Sequence, residues 1–341
     1  MNTATAHIPQ TITLRPFSEK PVIVLAGATA SGKTALSLAL AEQLPTILPE
    51  LTPVWKGVEI ISADSRQMYR YLDIGTAKPL PEELQAVPHH CIDIKNPDEL
   101  YSAGQFGVDA AQIIDDIHAR GNLAVVVGGS GLYIKALCDG LFEEHGQLDT
   151  TAARAAVERR LGEYGLAALY KELQEVDMVS AEKYNDLNPR RLVRALEYYY
   201  TTGIPLSRAQ EQFSCTRAFQ ARYIGVFVER NELYERINKR TEQMFFRPHK
   251  TIIDETQDVL RLGFEPNANA LNTVGYKECL EYLRGEYSRE RALELAQQHT
   301  RHYAKRQMTW FRREQRIQWL AGSTQELVSY VVADLRRRIA E

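Results

Sequence analysis

Gly27-Ala28-Thr29-Ala30-Ser31-Gly32-Lys33-Thr34 decides how the rest of this chain is read. It follows Val22-Ile23-Val24-Leu25, an apolar run of strand length, and precedes Ala35-Leu36-Ser37-Leu38-Ala39-Leu40-Ala41-Glu42, which reads as helix. Strand, glycine-rich turn, helix is the setting that gives the spacing G-x-x-x-x-G-K-[ST] its meaning. Gly27 and Gly32 permit backbone angles that a Cβ resists. The loop amides can then face inward as an anion nest, with the helix dipole behind them. Lys33 adds a point charge for a terminal phosphate, and Thr34 offers a hydroxyl to Mg²⁺. The plain alternative is a glycine turn that binds nothing, which the correctly placed strand and helix disfavour. The loop specifies a polyphosphate or a diphosphate. It leaves open which one, and whether the bond broken is P–O or C–O.

The 341 residues suffice for about two domains. An apolar content of 44% and a charged content of 25% are those of an ordinary soluble globular protein. A net charge of −3 gives no global attraction to nucleic acid, so such binding needs local basic patches. Cys91, Cys138, Cys215 and Cys279 are far apart, with no C-x-x-C pair. That argues against a zinc site or a disulfide framework and suits a reducing cytoplasm. No apolar run approaches the roughly 20 residues that span a bilayer. Residues 1–20 are polar, lack the apolar stretch of a secretory signal, and read as a loosely ordered extension.

Further strands are expected at Val58–Ile61, at Asn122–Val127 and at Tyr223–Val228, with short extended pieces at His89–Ile94 and Arg316–Leu320. Helices are expected over Ser102–Arg120 and from Thr324, and Pro45–Gly57, with its prolines, reads as a loop. The alternation predicts an α/β fold, a P-loop NTPase-like parallel sheet flanked by helices. From about Glu144 to Phe213 charged helical patterns dominate, with Asn188-Pro189 a helix start and Gly203 a stop. The expected organisation is an extension (1–20), an α/β core (21–143 and 214–341) and an inserted all-helical domain (144–213).

Active residues should collect beyond the carboxyl ends of the strands. Three segments meet that rule: the phosphate loop, the turn at Asp64, and Gly128-Gly129-Ser130-Gly131. Asp64 could bind Mg²⁺ through water or act as a general base; the plain alternative is a helix N-cap. Arg66 and Lys78 could neutralise a leaving diphosphate, although a lone lysine is more often a solvated surface charge. Ser130 sits in a turn whose glycines could admit a ligand or merely tighten a strand-to-helix connection. A helix over 301–316 would gather Lys305, Arg306, Thr309, Arg312, Arg313 and Arg316 within about a third of its circumference, with Tyr303, Trp310 and Ile317 on a packing side. Arg190, Arg191 and Arg194 share a face opposite Leu192, Leu196 and Tyr199. Two such faces could clamp a phosphate backbone, and the absence of acids from the first favours that over a merely solvated face. His89 and His90 have no further metal-spaced partner and read as structural.

With these segments in order the chain resembles the tRNA dimethylallyltransferases, or tRNA isopentenyltransferases, from about Pro21 to Leu320. The matching pieces are 27–34, Ile-Ile-Ser-Ala-Asp-Ser-Arg-Gln-Met-Tyr (60–69), Asp-Ile-Gly-Thr-Ala-Lys-Pro (73–79), Val-Gly-Gly-Ser-Gly-Leu-Tyr (127–133), Asn-Pro-Arg-Arg-Leu-Val-Arg-Ala-Leu-Glu (188–197), Val-Gly-Tyr-Lys-Glu (274–278) and Lys-Arg-Gln-Met-Thr-Trp-Phe-Arg (305–312). The resemblance implies attack by the N6 amine of the adenosine 3′ of a tRNA anticodon on C1 of dimethylallyl diphosphate, with diphosphate leaving. It implies Asp64 as general base, with Thr29 and Lys33 at the leaving group. Residues Gly27, Ala28, Thr29, Ala30, Ser31, Gly32, Lys33 and Thr34 would hold the diphosphate, joined by Arg230 and Arg236, with Thr34 on Mg²⁺. It implies RNA contacts from Asp64, Ser65, Arg66, Gln67 and Ser130, from Arg190, Arg191, Leu192, Val193 and Arg194, and from Lys305, Arg306, Gln307, Thr309, Trp310 and Arg312. The partners expected are a tRNA anticodon stem-loop and dimethylallyl diphosphate, with no membrane, a monomeric state and a cytoplasmic location.

The chain departs from the family pattern at Ser130, where threonine is usual, in a long 45–57 segment, and at Phe245-Phe246-Arg247-Pro248-His249, where a glycine turn is common. It also lacks the zinc-finger extension of eukaryotic members, which points to a bacterial or organellar form. The competing readings are an adenylate (AMP, ADP or ATP) isopentenyltransferase, which would need neither the basic helix nor the insert, and a P-loop kinase. A GTPase-like module would need N-K-x-D, which is not found.

Overall fold

The computed structural model describes residues 20–51, 55–142, 149–213, 215 and 217–340; the expected extension lies outside them except for Lys20. Along the chain the elements are β1 (Pro21–Ala26), α1 (Lys33–Leu51), β2 (Gly57–Ser62), α2 (Pro81–Ala86), β3 (His89–His90), α3 (Ala103–Ala119), β4 (Asn122–Gly128) and α4 (Gly131–Asp139). There follow α5 (Thr151–Val176), α6 (Met178–Lys183), α7 (Pro189–Thr202), α8 (Leu206–Gln212), β5 (Gln220–Val226), α9 (Arg230–Phe246), α10 (Ile252–Arg261), α11 (Tyr276–Leu283), α12 (Arg289–Phe311), β6 (Gln318–Leu320) and α13 (Thr324–Ala340).

The six strands form one parallel sheet in the order β3-β2-β4-β1-β5-β6. Every residue of β1 is buried, as is β4 after Asn122, the mark of strands covered on both faces. The chain leaves β1 for β2, returns to insert β4 between them, and then adds β5 on the other side. The order therefore reverses at β1, and the crevice beyond its carboxyl end is the expected ligand site of such a sheet. Register brings the relevant strand ends level: Ala26 opposes Gly128, and Ser62 opposes Val127.

Most helix boundaries follow from capping chemistry. Ser102 accepts from Gln105 N–H at 3.0 Å and opens α3, whose Phe106, Ala110, Ile114 and Ile117 are buried. Asn188 caps α7, Pro189 fills its first position, and Gly203 ends it at φ 72°. The loop expected from Pro45 is corrected. α1 continues through Pro45 to Leu51; Ile47, beyond the proline, packs against the cluster that joins Leu36, Leu40 and Leu44 to Leu327, Val328, Val331 and Leu335 of α13.

The chain divides into two compact units, Met1–Cys138 with Arg217–Glu341, and Asp139–Thr216. The second starts and ends a few residues outside the expected 144–213. It is helical among its described residues, with a core of Val157, Leu169, Leu173, Leu192, Leu196 and Leu206. No described helix is long and apolar enough to cross a membrane.

Candidate active site

Beyond β1, β2 and β4 lies a cleft of about 470 Å³, lined by 29–34, Asp64, Gln67, Thr76–Pro79, Glu83, Val127–Gly129, Arg236, Arg240, Gln243 and Gln307. Two of the three segments expected there thus reach it, together with the glycines of the third. In the phosphate loop Gly27 (φ 148°) and Gly32 (φ 98°) take the angles glycine allows, and Ala30 at φ 62° shares the strain. A Cβ on Gly27 would stand 2.9 Å from the Val226 carbonyl oxygen. The first-turn amides of α1 have no acceptor one turn back. Ser31, almost fully buried, has no hydrogen-bond partner for its hydroxyl. A buried donor without an acceptor beside a nest of amides is what an oxyanion would complete.

Lys33 Nζ donates to the Ala28 carbonyl at 2.6 Å. Burial lowers its pKa to about 7, against the opposing pull of the Asp64 charge, with the Arg240 cation lowering it further. Arg240 donates to the Thr29 hydroxyl at 2.6 Å. Arg236, one helical turn earlier on α9, lines the same cleft and pairs with Glu232. Arg230 does not line the cleft; its guanidinium lies 5.2 Å from the Tyr234 ring centre. Arg240 therefore stands where Arg230 was expected, and its i+4 spacing from Arg236 on one helix face was the available signal.

Asp64 caps no helix. Its Oδ1 accepts from Arg66 N–H at 2.8 Å in an Asx turn, and that bond leaves Oδ2 available to a substrate. Ser130 Oγ accepts from Ser65 N–H at 3.1 Å, so the two turns are tied. Tyr303 lies against this corner. Burial, with the Asp64 charge, pushes its phenol up to about 12. Arg66 is held by the Asn269 carbonyl at 2.8 Å. Gln67 is committed, accepting from Ser62 Oγ at 2.8 Å and donating to the Ala77 carbonyl at 3.1 Å.

Gly128, Gly129 and Gly131 admit protein rather than ligand. A Cβ at each would stand 2.1 Å from Ala63 O, Gln307 Nε2 and Trp310 Cδ1 respectively. Lys78 is not a solvated charge: its side chain is 3% exposed and it binds the Tyr69 carbonyl, Asp73 and Asp93. Its loop, 73–79, was matched to the family by sequence without a role. Buried Glu255 accepts from Asp73, Ile74 and Gly75 N–H and from the Tyr276 hydroxyl. The Val-Gly-Tyr-Lys-Glu segment thus helps to hold one wall of the cleft. His90 pairs with buried Glu59, and His89 with the Val87 carbonyl, so both histidines are structural.

The basic surfaces need correction at six positions. Leu192 and Val193 are core residues of the helical unit and cannot touch RNA, whereas Arg190, Arg191 and Arg194 are exposed. α12 ends at Phe311 with Arg312 at its cap, so Arg313 and Arg316 are not on the helix, and Arg316 pairs with Glu314. Gln307 is buried. Trp310 does not pack away; it is 39% exposed and joins His302, Lys305, Arg306, Thr309 and Arg313 around a concavity of about 440 Å³. Among the described residues no carboxylate pairs with Lys305, Arg306, Arg312 or Arg313.

A parallel α/β sheet with a phosphate loop at its reversal point, beside an aspartate and the cations of Lys33, Arg236 and Arg240, defines a protein that handles a phosphorylated substrate. The family model of IPP transferases matches residues 67–314. The chain is 40% identical over 304 residues to a tRNA dimethylallyltransferase of Geobacter sulfurreducens, covering 89% of this chain and 92% of that one. It is 39% identical to that of Alkaliphilus metalliredigens, covering 93% and 97%. Among solved structures, the tRNA isopentenylpyrophosphate transferase of Bacillus halodurans is similar at TM-score 0.65 and 33% identity, covering 94% and 98%. A eukaryotic dimethylallyltransferase acting on tRNA is similar at TM-score 0.71 and 27% identity, covering 89% and 74%. The chain belongs to the IPP transferase family.

Proposed function

We propose that this chain transfers the dimethylallyl group of dimethylallyl diphosphate to the N6 amine of a tRNA adenosine, the one 3′ of the anticodon, and releases diphosphate. The observation that carries this reading is that the phosphate loop and Asp64 line one cleft with Lys33, Arg236 and Arg240. In the step proposed, the N6 lone pair forms a bond to C1, the C1–O bond breaks towards the diphosphate, and the N6 proton passes to Asp64. Adenine N6 is a weak nucleophile, since its lone pair is delocalised into the ring. Positioning and charge stabilisation must supply most of the rate. Loop amides, Ser31, Lys33, Arg236 and Arg240 would meet the charge developing on the leaving group, and Thr29 its bridging oxygen.

No cluster of three metal-ligating side chains exists among the described residues. The exposed Thr34 hydroxyl, with water and phosphate oxygens, suits Mg²⁺, which keeps most of its shell from solvent and substrate. When bound it would add positive charge at the diphosphate. Ser65, Arg66 and Ser130 would surround the adenosine, which must leave the base stack to reach them. Arg190, Arg191 and Arg194 and, separately, Lys305, Arg306, Thr309, Trp310 and Arg312 would contact RNA. We take the protein to be a cytoplasmic monomer. The test offers purified protein labelled dimethylallyl diphosphate with tRNA or AMP. Label is expected in tRNA adenosine; label in AMP alone would overturn the acceptor, and no transfer would overturn the reaction.

A further inference from the structure

We propose that Gln307 is a positioning residue that sets the phosphate loop against the Asp64 corner, rather than an RNA contact. This rests on the prenyl-transfer reading. Gln307 is the one inward-facing amide in a basic stretch, and it is 5% exposed. Its Oε1 accepts from Thr29 N–H at 2.8 Å, and its Nε2 donates to the Gly129 carbonyl at 2.9 Å. One side chain thus joins the loop after β1 to the turn after β4. Gly129 is required by this approach, since a Cβ there would stand 2.1 Å from Gln307 Nε2. The Thr29 hydroxyl is held at the same time by Arg240, so its backbone is fixed from α12 and its side chain from α9.

The turn that Gln307 grips continues into Ser130, whose hydroxyl accepts from Ser65 N–H beside Asp64. The path from leaving-group loop to base is therefore three hydrogen bonds, Thr29 to Gln307, Gln307 to Gly129 and Ser65 to Ser130, joined by the Gly129–Ser130 and Asp64–Ser65 peptide links. Misplacement of about 1 Å between reacting groups costs roughly 10²-fold in rate. A buried amide with both ends satisfied is suited to prevent it, because moving either partner leaves a buried polar group unpaired.

The test uses the full chain and three measurements: kcat, tRNA affinity, and affinity for inorganic diphosphate without RNA. Gln307→Met keeps the volume and removes both bonds. It should lower kcat roughly 10²-fold and weaken diphosphate binding, while tRNA affinity stays. Gly129→Ala reaches the same amide from the other side and should reproduce the loss. The double variant should be no worse than either single one, since both break one link. Weaker tRNA binding with kcat kept in Gln307→Met, or additive losses in the double variant, would overturn the proposal. So would a variant equal to a wild type that binds diphosphate. A wild type that binds no diphosphate would remove the proposed function and this inference with it.

Discussion

Lys33 and Arg240 in the cleft and Lys305 and Arg306 on α12 carry the same charge in opposite circumstances. The first two are bound to loop groups, Lys33 to the Ala28 carbonyl and Arg240 to the Thr29 hydroxyl. The second two are exposed, without a carboxylate partner among the described residues. Burial lowers the pKa of both Lys33 and Arg240, so an arriving anion would relieve an unfavourable environment. Lys305 and Arg306 stand in solvent, where any attraction for RNA would be exposed to salt. The cleft is built for a small, highly charged group at a fixed position. The helix face, on the proposed reading, would take an extended polyanion at a tolerant one.

This difference can be broken by substitution. Asp64→Ala should lower transfer roughly 10³-fold and leave tRNA affinity unchanged in a binding assay. Normal turnover would remove Asp64 from the mechanism. Arg240→Ala should cost roughly 10²-fold in kcat/KM for the isoprenoid diphosphate, again without an effect on RNA binding. Replacing Lys305 and Arg306 together by Ala should do the reverse. The dependence of log K on log salt should flatten by about 1–2, with kcat intact at saturating tRNA. An unchanged slope would mean that this face does not meet RNA phosphates.

The smallest effect is expected away from both regions. Burial pushes the Glu59 carboxyl up, but hydrogen bonds from Arg120, Asn122 and His90 outweigh it and hold the pKa at about 2. A depressed carboxylate contributes stability above its unfolded pKa, and that contribution is lost as pH falls from about 4.5 towards 2. Glu59→Gln should therefore cost roughly 2 kcal/mol near neutrality and nothing by the bottom of that window. Thermal melts of both proteins across the window check it, and a pH-independent difference would contradict it.

How legible each region was depends on which forces decide it. The phosphate loop, the buried strands and the α7 caps were readable, because glycine angles, continuous apolar runs and an Asn-Pro start act locally. Pro45 does not end its helix, since Ile47 beyond it joins the Leu36–Leu40–Leu44 stripe against α13, nearly three hundred residues along the chain. The end of α12 could not be read from periodicity, which continues through Arg312 and Arg316 although the helix stops at Phe311. Arg240 is legible by its spacing from Arg236, whereas Arg230, at the start of α9, stacks on Tyr234 instead. Gln307 and Glu255 carry no local signal at all, and Tyr303 reads only as a packing residue. Their roles exist only once distant loops meet them, and a polar residue in a helix reads as exposed until the fold buries it.

The central claim is that one cleft holds an isoprenoid diphosphate in the 27–34 loop with its C1 turned towards Asp64. A crystal structure with an unreactive dimethylallyl diphosphate analogue tests it most directly. The diphosphate should lie on the loop amides within reach of Lys33 and Arg240, with C1 on the Asp64 side. A diphosphate bound elsewhere, or a C1 facing away from Asp64, would contradict the account.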